Sequence, residues 1–325
     1  MFDARHTWFL VGATAVGKTA VGLELARLLD AEIVSLDSMA VYRGLDIGTA
    51  KPTPAERSAV RHHLVDILEP AQPFSLAEYV AAARQACAEI AGRGRQALFV
   101  GGTPLYLKAM LRGIFEGPQA DLPRRQALES QARQHGANWL HEQLASVDPA
   151  AAARLHPNDT RRLVRALEVY EKTGRPISEW QRQFDLGGPA EQHKVFVLDR
   201  PRSELVERID RRVEAMFAAG LVGEVAGLLA RGGVLGRTAR QALGYREVLE
   251  HLSGERSLEE TVELVKLRTR QFARRQLTWF RSLSECRWLP IDGQIDPAAV
   301  ASRIAAREAG DKATRRHGDK GNEER

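Results

Sequence analysis

The apolar positions of this chain fall into short runs of strand character separated by stretches of helical period. Residues 7–11 form one such run, closing on Gly12, and a helix pattern follows over 19–29. Further strand patterns cover 32–36, closing on Asp37, 95–100, closing on Gly101, Gly102 and Thr103, and 194–198, closing on Asp199. Strand runs alternating with helices predict an α/β fold, a parallel sheet covered by helices. In such sheets ligands gather at the carboxyl ends of the strands, and three of these ends carry polar or glycine-rich residues.

The remainder reads as helical. Some 90 residues separate the third and fourth strand patterns, about three times a simple strand–helix–strand crossover, and 121–183 is rich in Ala, Leu, Arg, Gln and Glu. Breaks fall at Gly136, Pro149, Pro157 and Gly174-Arg175-Pro176. The organisation predicted is a catalytic core of 1–117 and 190–305, a helical insertion at 118–189 with Gly187-Gly188-Pro189 as the linker back, and helices from 203 to about 284. A disordered tail is expected at 306–325, where both charges mix and large apolar residues are lacking after 306.

Composition adds boundaries. Hydrophobic residues make up 44% and charged residues 27%, enough to bury a sizeable core, and the formal charge of +5 permits a polyanionic partner without requiring one. Cys87 and Cys286 lack any companion spacing for a disulfide framework or a zinc site. No apolar run approaches the length of a membrane span, so a cytoplasmic protein is expected, with nothing to suggest an obligate oligomer.

The chemistry starts at the end of the first strand. Gly12, Ala13, Thr14, Ala15, Val16, Gly17, Lys18 and Thr19 match G-x-x-x-x-G-K-[ST] in full, with a strand before and a helix after. The glycines let backbone N–H groups turn toward phosphate oxygens, helix onset at Lys18 adds the positive end of the dipole, and Lys18 adds a charge. The Thr19 hydroxyl can ligate Mg²⁺. This pattern says phosphate and leaves the reaction open: a kinase would use it too. Asp37, on a neighbouring strand end, can hold a metal or accept a proton from a nucleophile. Thr103 offers a hydroxyl beside free backbone donors, and Arg208 and Arg212 share a helix face. Between 264 and 281 there are six basic residues and no acidic one, interleaved with Phe272, Trp279 and Phe280, a stripe that fits an RNA backbone.

Several separated blocks resemble the tRNA dimethylallyltransferases over roughly residues 8–290. They are the P-loop; 37–52; His62-His63-Leu64-Val65-Asp66; Gly101-Gly102-Thr103-Pro104-Leu105-Tyr106; 148–168; Gln241-Ala242-Leu243-Gly244-Tyr245-Arg246; and Arg274-Arg275-Gln276-Leu277-Thr278-Trp279-Phe280-Arg281. The resemblance implies a P-loop NTPase-like fold whose loop holds the pyrophosphate of dimethylallyl diphosphate. The acceptor would be the N6 amine of the adenine 3′ of the anticodon, position 37, in tRNAs reading codons that begin with U. Asp37 is then the general base, Thr103 and Arg212 steady the departing pyrophosphate, and Mg²⁺ sits at Thr19. Contacts to the anticodon stem-loop are implied for Asp37, Ser38, Met39, Ala40, Thr103, Arg125, Arg161, Arg162, Leu163, Val164, Arg165 and the block Gln241, Ala242, Leu243, Gly244, Tyr245 and Arg246. Ala40 and Pro104 depart from the residues usual in the family, glutamine and glycine. A small-molecule kinase and an enzyme prenylating free adenylate share the P-loop and Asp37; neither needs the insertion or the basic stripe.

Overall fold

The computed structural model describes residues 7–115, 117–136, 138–181, 187–230 and 235–320. These divide into two compact units, one drawn from Met1–Leu111 and Gly188–Arg325 and the other from Arg112–Gly187. The second begins six residues before the expected insertion and ends two before its expected end.

The first unit is built on an all-parallel sheet of strands β1 (Trp8–Gly12), β2 (Ala31–Leu36), β3 (His62–His63), β4 (Gln96–Gly101), β5 (Lys194–Asp199) and β6 (Cys286–Pro290). Their order across the sheet is β3-β2-β4-β1-β5-β6. The four expected strands form within a residue of their predicted positions. The two edge strands were not foreseen. β3 pairs through only Ile33↔His62 and Val34↔His63, too short for an alternating pattern to register. β6 pairs in parallel with β5 over Val195–Asp199, on the edge away from β1.

β1 pairs with β4 and β5 along its edges, and its side chains are buried on both faces of the sheet. That is why Trp8, Phe9, Leu10 and Val11 form an unbroken apolar run, not an alternating one. One face packs on the P-loop helix Lys18–Leu28 through Val21 and Leu25, joined by Leu205, Ile209 and Val213 from the helix Arg202–Ala218. A second core gathers Tyr42, Leu45, Leu221, Val225 and Tyr245 around the loop after β2.

A helix runs over Pro297–Lys320, beyond the point where disorder was expected to begin. Its first turns bury Val300, Ala301 and Ile304 against the P-loop helix, and Glu308 pairs with Arg287 at 3.3 Å. The docked first turns supply a nucleus from which the helix propagates. Residues 321–325 lie outside the described residues. Among the described residues, no single helix is long and apolar enough to cross a membrane.

The second unit is a bundle of helices Leu122–His135, Trp139–Val147, Pro149–Ala152, Thr160–Thr173 and Ile177–Gln181. Asp121, Asp148 and Asp159 cap three of them by accepting backbone N–H groups. Its core is Leu128, Leu140, Leu144, Leu163, Val164 and Leu167 with their neighbours.

Candidate active site

A cavity of about 800 Å³ opens at the carboxyl ends of β1, β2 and β4. Thr14, Ala15, Gly17, Lys18 and Thr19 of the P-loop line it, while Gly12, Ala13 and Val16 lie buried behind them. Gly17 precedes the helix with φ 112°, a left-handed conformation that disfavours any side chain, and no side chain caps the helix start. The first-turn N–H groups therefore have no intrahelical partner and no cap. The loop's carbonyls, by contrast, are taken. Lys18 Nζ donates to Gly12 O at 3.0 Å and Ala13 O at 2.7 Å, Arg208 Nε to Ala15 O at 2.9 Å, and Arg200 Nε to Val16 O at 3.1 Å. Acceptors are engaged by cations on one side, which leaves the uncapped amides as the loop's free polarity. This is an anion cradle.

Asp37, Thr103 and Arg212 line the same cavity. Asp37 Oδ1 accepts from the N–H of Met39 at 2.8 Å and of Ala40 at 3.3 Å, which folds 37–40 into a tight polar turn. The Thr103 hydroxyl accepts from Ser38 N–H at 3.2 Å, and Thr103 N–H donates to Leu36 O at 3.1 Å. Arg212 is held below the usual guanidinium range by burial, with Asp37 pulling the other way. Burial lowers Lys18 to about 7, the neighbouring Arg212 adds to this, and Asp37 opposes it. Two crowded cations facing one carboxylate leave the cavity short of negative charge. A di-anionic group fits that deficit.

Ser38, Met39, Ala40, Gln241, Ala242, Leu243 and Gly244 also line the cavity. Tyr245 does not: it is fully buried, and its hydroxyl donates to Glu224, whose carboxylate also accepts from the N–H groups of Asp46 and Ile47. It fixes the loop after β2. Arg246 is exposed and pairs with Glu250 at 3.2 Å.

The remaining implied contacts belong to the second unit. Arg161 and Arg162 are exposed on the helix Thr160–Thr173. Leu163 and Val164 are core residues, 0% and 2% exposed, because they fall on the apolar face of that helix. Arg125 and Arg165 both pair with the fully buried Glu168, at 2.8 and 2.5 Å. The basic stripe shrinks likewise. Lys266, Arg268 and Arg270 pair with Glu214, Glu247 and Asp210, acids contributed by other helices, and Phe280 is core. Arg274 and Arg275 stay exposed, and Arg275 and Phe272 line the cavity.

Residues assigned no such role from the sequence complete the site. Arg200, Arg208 and Gln276 hold the P-loop from outside it. Buried Lys51 donates to Tyr42 O at 2.8 Å and pairs with Asp46 and Asp66 at 2.5 Å, pinning the cavity's rim. Lys51 and Asp66 lie within quoted blocks, but nothing in their spacing announces that they meet.

Fold and site together define a P-loop enzyme of the NTPase-like α/β class, and the comparisons specify it as a prenyltransferase. The model of the IPP transferase family matches residues 40–283 and that of the isopentenyl transferases residues 5–68. This chain belongs to the IPP transferase family. It is 50% identical over 280 residues to the tRNA dimethylallyltransferase of Syntrophobacter fumaroxidans, covering 86% of this chain and 82% of that protein. Against tRNA dimethylallyltransferase 1 of Trichlorobacter lovleyi the identity is 48%, covering 86% and 92%. The crystal structure of the full-length tRNA isopentenylpyrophosphate transferase from Bacillus halodurans superposes with a TM-score of 0.68 at 37% identity, covering 96% of this chain and all of that one. A eukaryotic dimethylallyltransferase acting on tRNA gives 0.72 at 27% identity, covering 87% and 73%.

Proposed function

We propose that this enzyme transfers a dimethylallyl group from dimethylallyl diphosphate to the N6 amine of adenine 37, just 3′ of the anticodon, in tRNAs that read codons beginning with U. The observation that carries this reading is the meeting of the P-loop, Asp37, Thr103 and Arg212 in one cavity. The amine nitrogen forms a bond to the allylic carbon as that carbon's bond to the diphosphate oxygen breaks. Asp37 takes the amine proton, and pyrophosphate leaves with the electron pair. Charge grows on the leaving group, where the helix-start amides, Lys18 and Arg212 stabilise it. Thr103, tied to the turn that carries Asp37, steadies the departing pyrophosphate together with Arg212. Thr19 would hold Mg²⁺ with the diphosphate oxygens, since this ion is commonly bound through one or two protein oxygens plus substrate phosphates. The adenine must leave its stack to reach the cavity, and the exposed Phe272 beside Arg275 offers its loop an aromatic face and a cation. The enzyme acts as a cytoplasmic monomer on the anticodon stem-loop.

Incubation with radiolabelled dimethylallyl diphosphate and bulk tRNA, followed by nucleoside analysis, tests the reading. N6-(dimethylallyl)adenosine is the expected product. Unlabelled tRNA together with brisk ATP turnover would replace the reading with a kinase, and efficient competition by AMP would favour a free-adenylate enzyme.

Lys18 supplies a test of the leaving-group site. Its pKa near 7 in the free protein rises when a diphosphate adds opposing charge. Affinity is then full below pH 7 and weakens as pH rises above it, by up to about tenfold per unit, until the pKa of the complex is reached. Titration calorimetry at about pH 8.5, in buffers of different ionisation enthalpy, is expected to show uptake approaching one proton. The Lys18→Arg protein, always charged, lacks that component. Equal uptake by both proteins would remove Lys18 from the linkage.

A further inference from the structure

Gln276 belongs to the block 274–281, yet the chemistry described so far gives it no part. It sits on the helix Leu258–Arg281, is 4% exposed, and lines the cavity. Its Oε1 accepts from Thr14 N–H of the P-loop at 2.9 Å, and its Nε2 donates to Gly102 O at 2.6 Å. Only one orientation of the amide satisfies both partners, because one is a donor and the other an acceptor. The fit is close on the Gly102 side, where an added Cβ would lie 2.5 Å from Nε2.

The bonds continue from there. Gly102 leads to Thr103, whose hydroxyl accepts from Ser38 N–H, and Asp37 folds the same turn through Met39 and Ala40. Gln276 is thus a side-chain bridge between the loop that faces the leaving group and the segment that carries the proton acceptor. We propose that Gln276 is a positioning residue of the transfer reaction, setting the separation between the P-loop and the Thr103–Asp37 segment. The inference rests on the prenyl-transfer reading above. Displacement requires the amine, the allylic carbon and the diphosphate oxygen to approach a line, and an error of about 1 Å in such an arrangement costs on the order of 100-fold in rate.

Two variants test it. Gln276→Leu fills similar space and loses both bonds. Its kcat is expected to fall roughly 100-fold, its affinity for inorganic pyrophosphate about tenfold, with tRNA affinity in filter binding unchanged. Gln276→Glu can still accept from Thr14 but, when ionised, sets an oxygen against Gly102 O. Its activity relative to the parent protein is expected to recover as pH falls and the carboxyl gains a donor proton. Gln276→Leu shows no such recovery. A role in stability alone would lower the folded fraction and scale all activities and affinities together. The proposal is overturned if folded Gln276→Leu keeps kcat and pyrophosphate affinity within about threefold of the parent. It also falls if Gln276→Glu tracks the parent at every pH, a readout that holds when the leucine variant fails to fold. Should the parent itself fail to prenylate tRNA, the functional reading fails, and the pyrophosphate affinities still decide whether Gln276 braces the loop.

Discussion

Asp37→Asn is expected to lower kcat for prenyl transfer by about 10²- to 10⁴-fold, the range for loss of a positioned general base, while leaving diphosphate bound. The asparagine Oδ1 can still accept from the N–H groups of Met39 and Ala40, so the turn at 37–40 persists. What disappears is the ability to take the amine proton. The negative charge near Lys18 and Arg212 disappears with it, so affinity for the diphosphate holds or rises slightly. Single-turnover rates with saturating tRNA, alongside pyrophosphate binding, separate the two effects. A variant that transfers at the parent rate would end the general-base assignment, and one that loses diphosphate binding would mean the turn had collapsed.

The second large effect concerns stability. Glu168 is fully buried in the second unit, accepting from Asp121 N–H at 2.6 Å, from Arg125 Nε and Nη2 at 3.0 and 2.8 Å, and from Arg165 Nη1 at 2.5 Å. Burial pushes its carboxyl up, but the bonds from Arg125, the Asp121 backbone and Arg165 together outweigh it and hold the group at about 2. A depressed carboxyl contributes stability that is present above its unfolded value near 4.5 and lost as pH falls through the folded one. Glu168→Gln leaves two guanidinium groups facing a neutral amide and is expected to destabilise this unit by about 3 kcal/mol, the low end for breaking a buried pair, because both arginines are partly solvated. Hydrogen exchange across 112–187 in the full chain measures it directly. Protection should drop in the variant at neutral pH, and its stability should lose the acid dependence between about pH 4.5 and 2. Unchanged protection would show that the arginines, not the carboxylate, set the local stability.

The P-loop was legible because its chemistry is local, eight consecutive residues between a strand and a helix. Asp37 and Gly101–Thr103 were legible because strand ends are where such sheets present polar groups. The helical breaks at Gly136, Pro149 and Gly174 follow from backbone chemistry, as does the cap at Gly174, which has φ 67°. Basic residues were misread when their partners came from elsewhere. Lys266, Arg268 and Arg270 look like a phosphate-facing stripe until Glu214, Glu247 and Asp210 arrive from other helices. Gln276 was passed over for the same reason: its partners, Thr14 and Gly102, lie far away in the chain. The helix at Pro297–Lys320 was missed because three apolar residues in its first turns suffice to dock it.

The place of β1 at the middle of the sheet has a consequence for biosynthesis. It leaves the ribosome before both its partners, β4 and, on the other edge, β5 beginning at Lys194. Until that segment emerges, Trp8 through Val11 keep one row of backbone groups and an apolar surface uncovered, the condition that invites chaperone capture or mispairing. The phosphate cradle forms later still, because Arg208 and Gln276 brace it from the second half of the chain. A nascent chain stalled before residue 276 would present the whole P-loop sequence and bind diphosphate poorly.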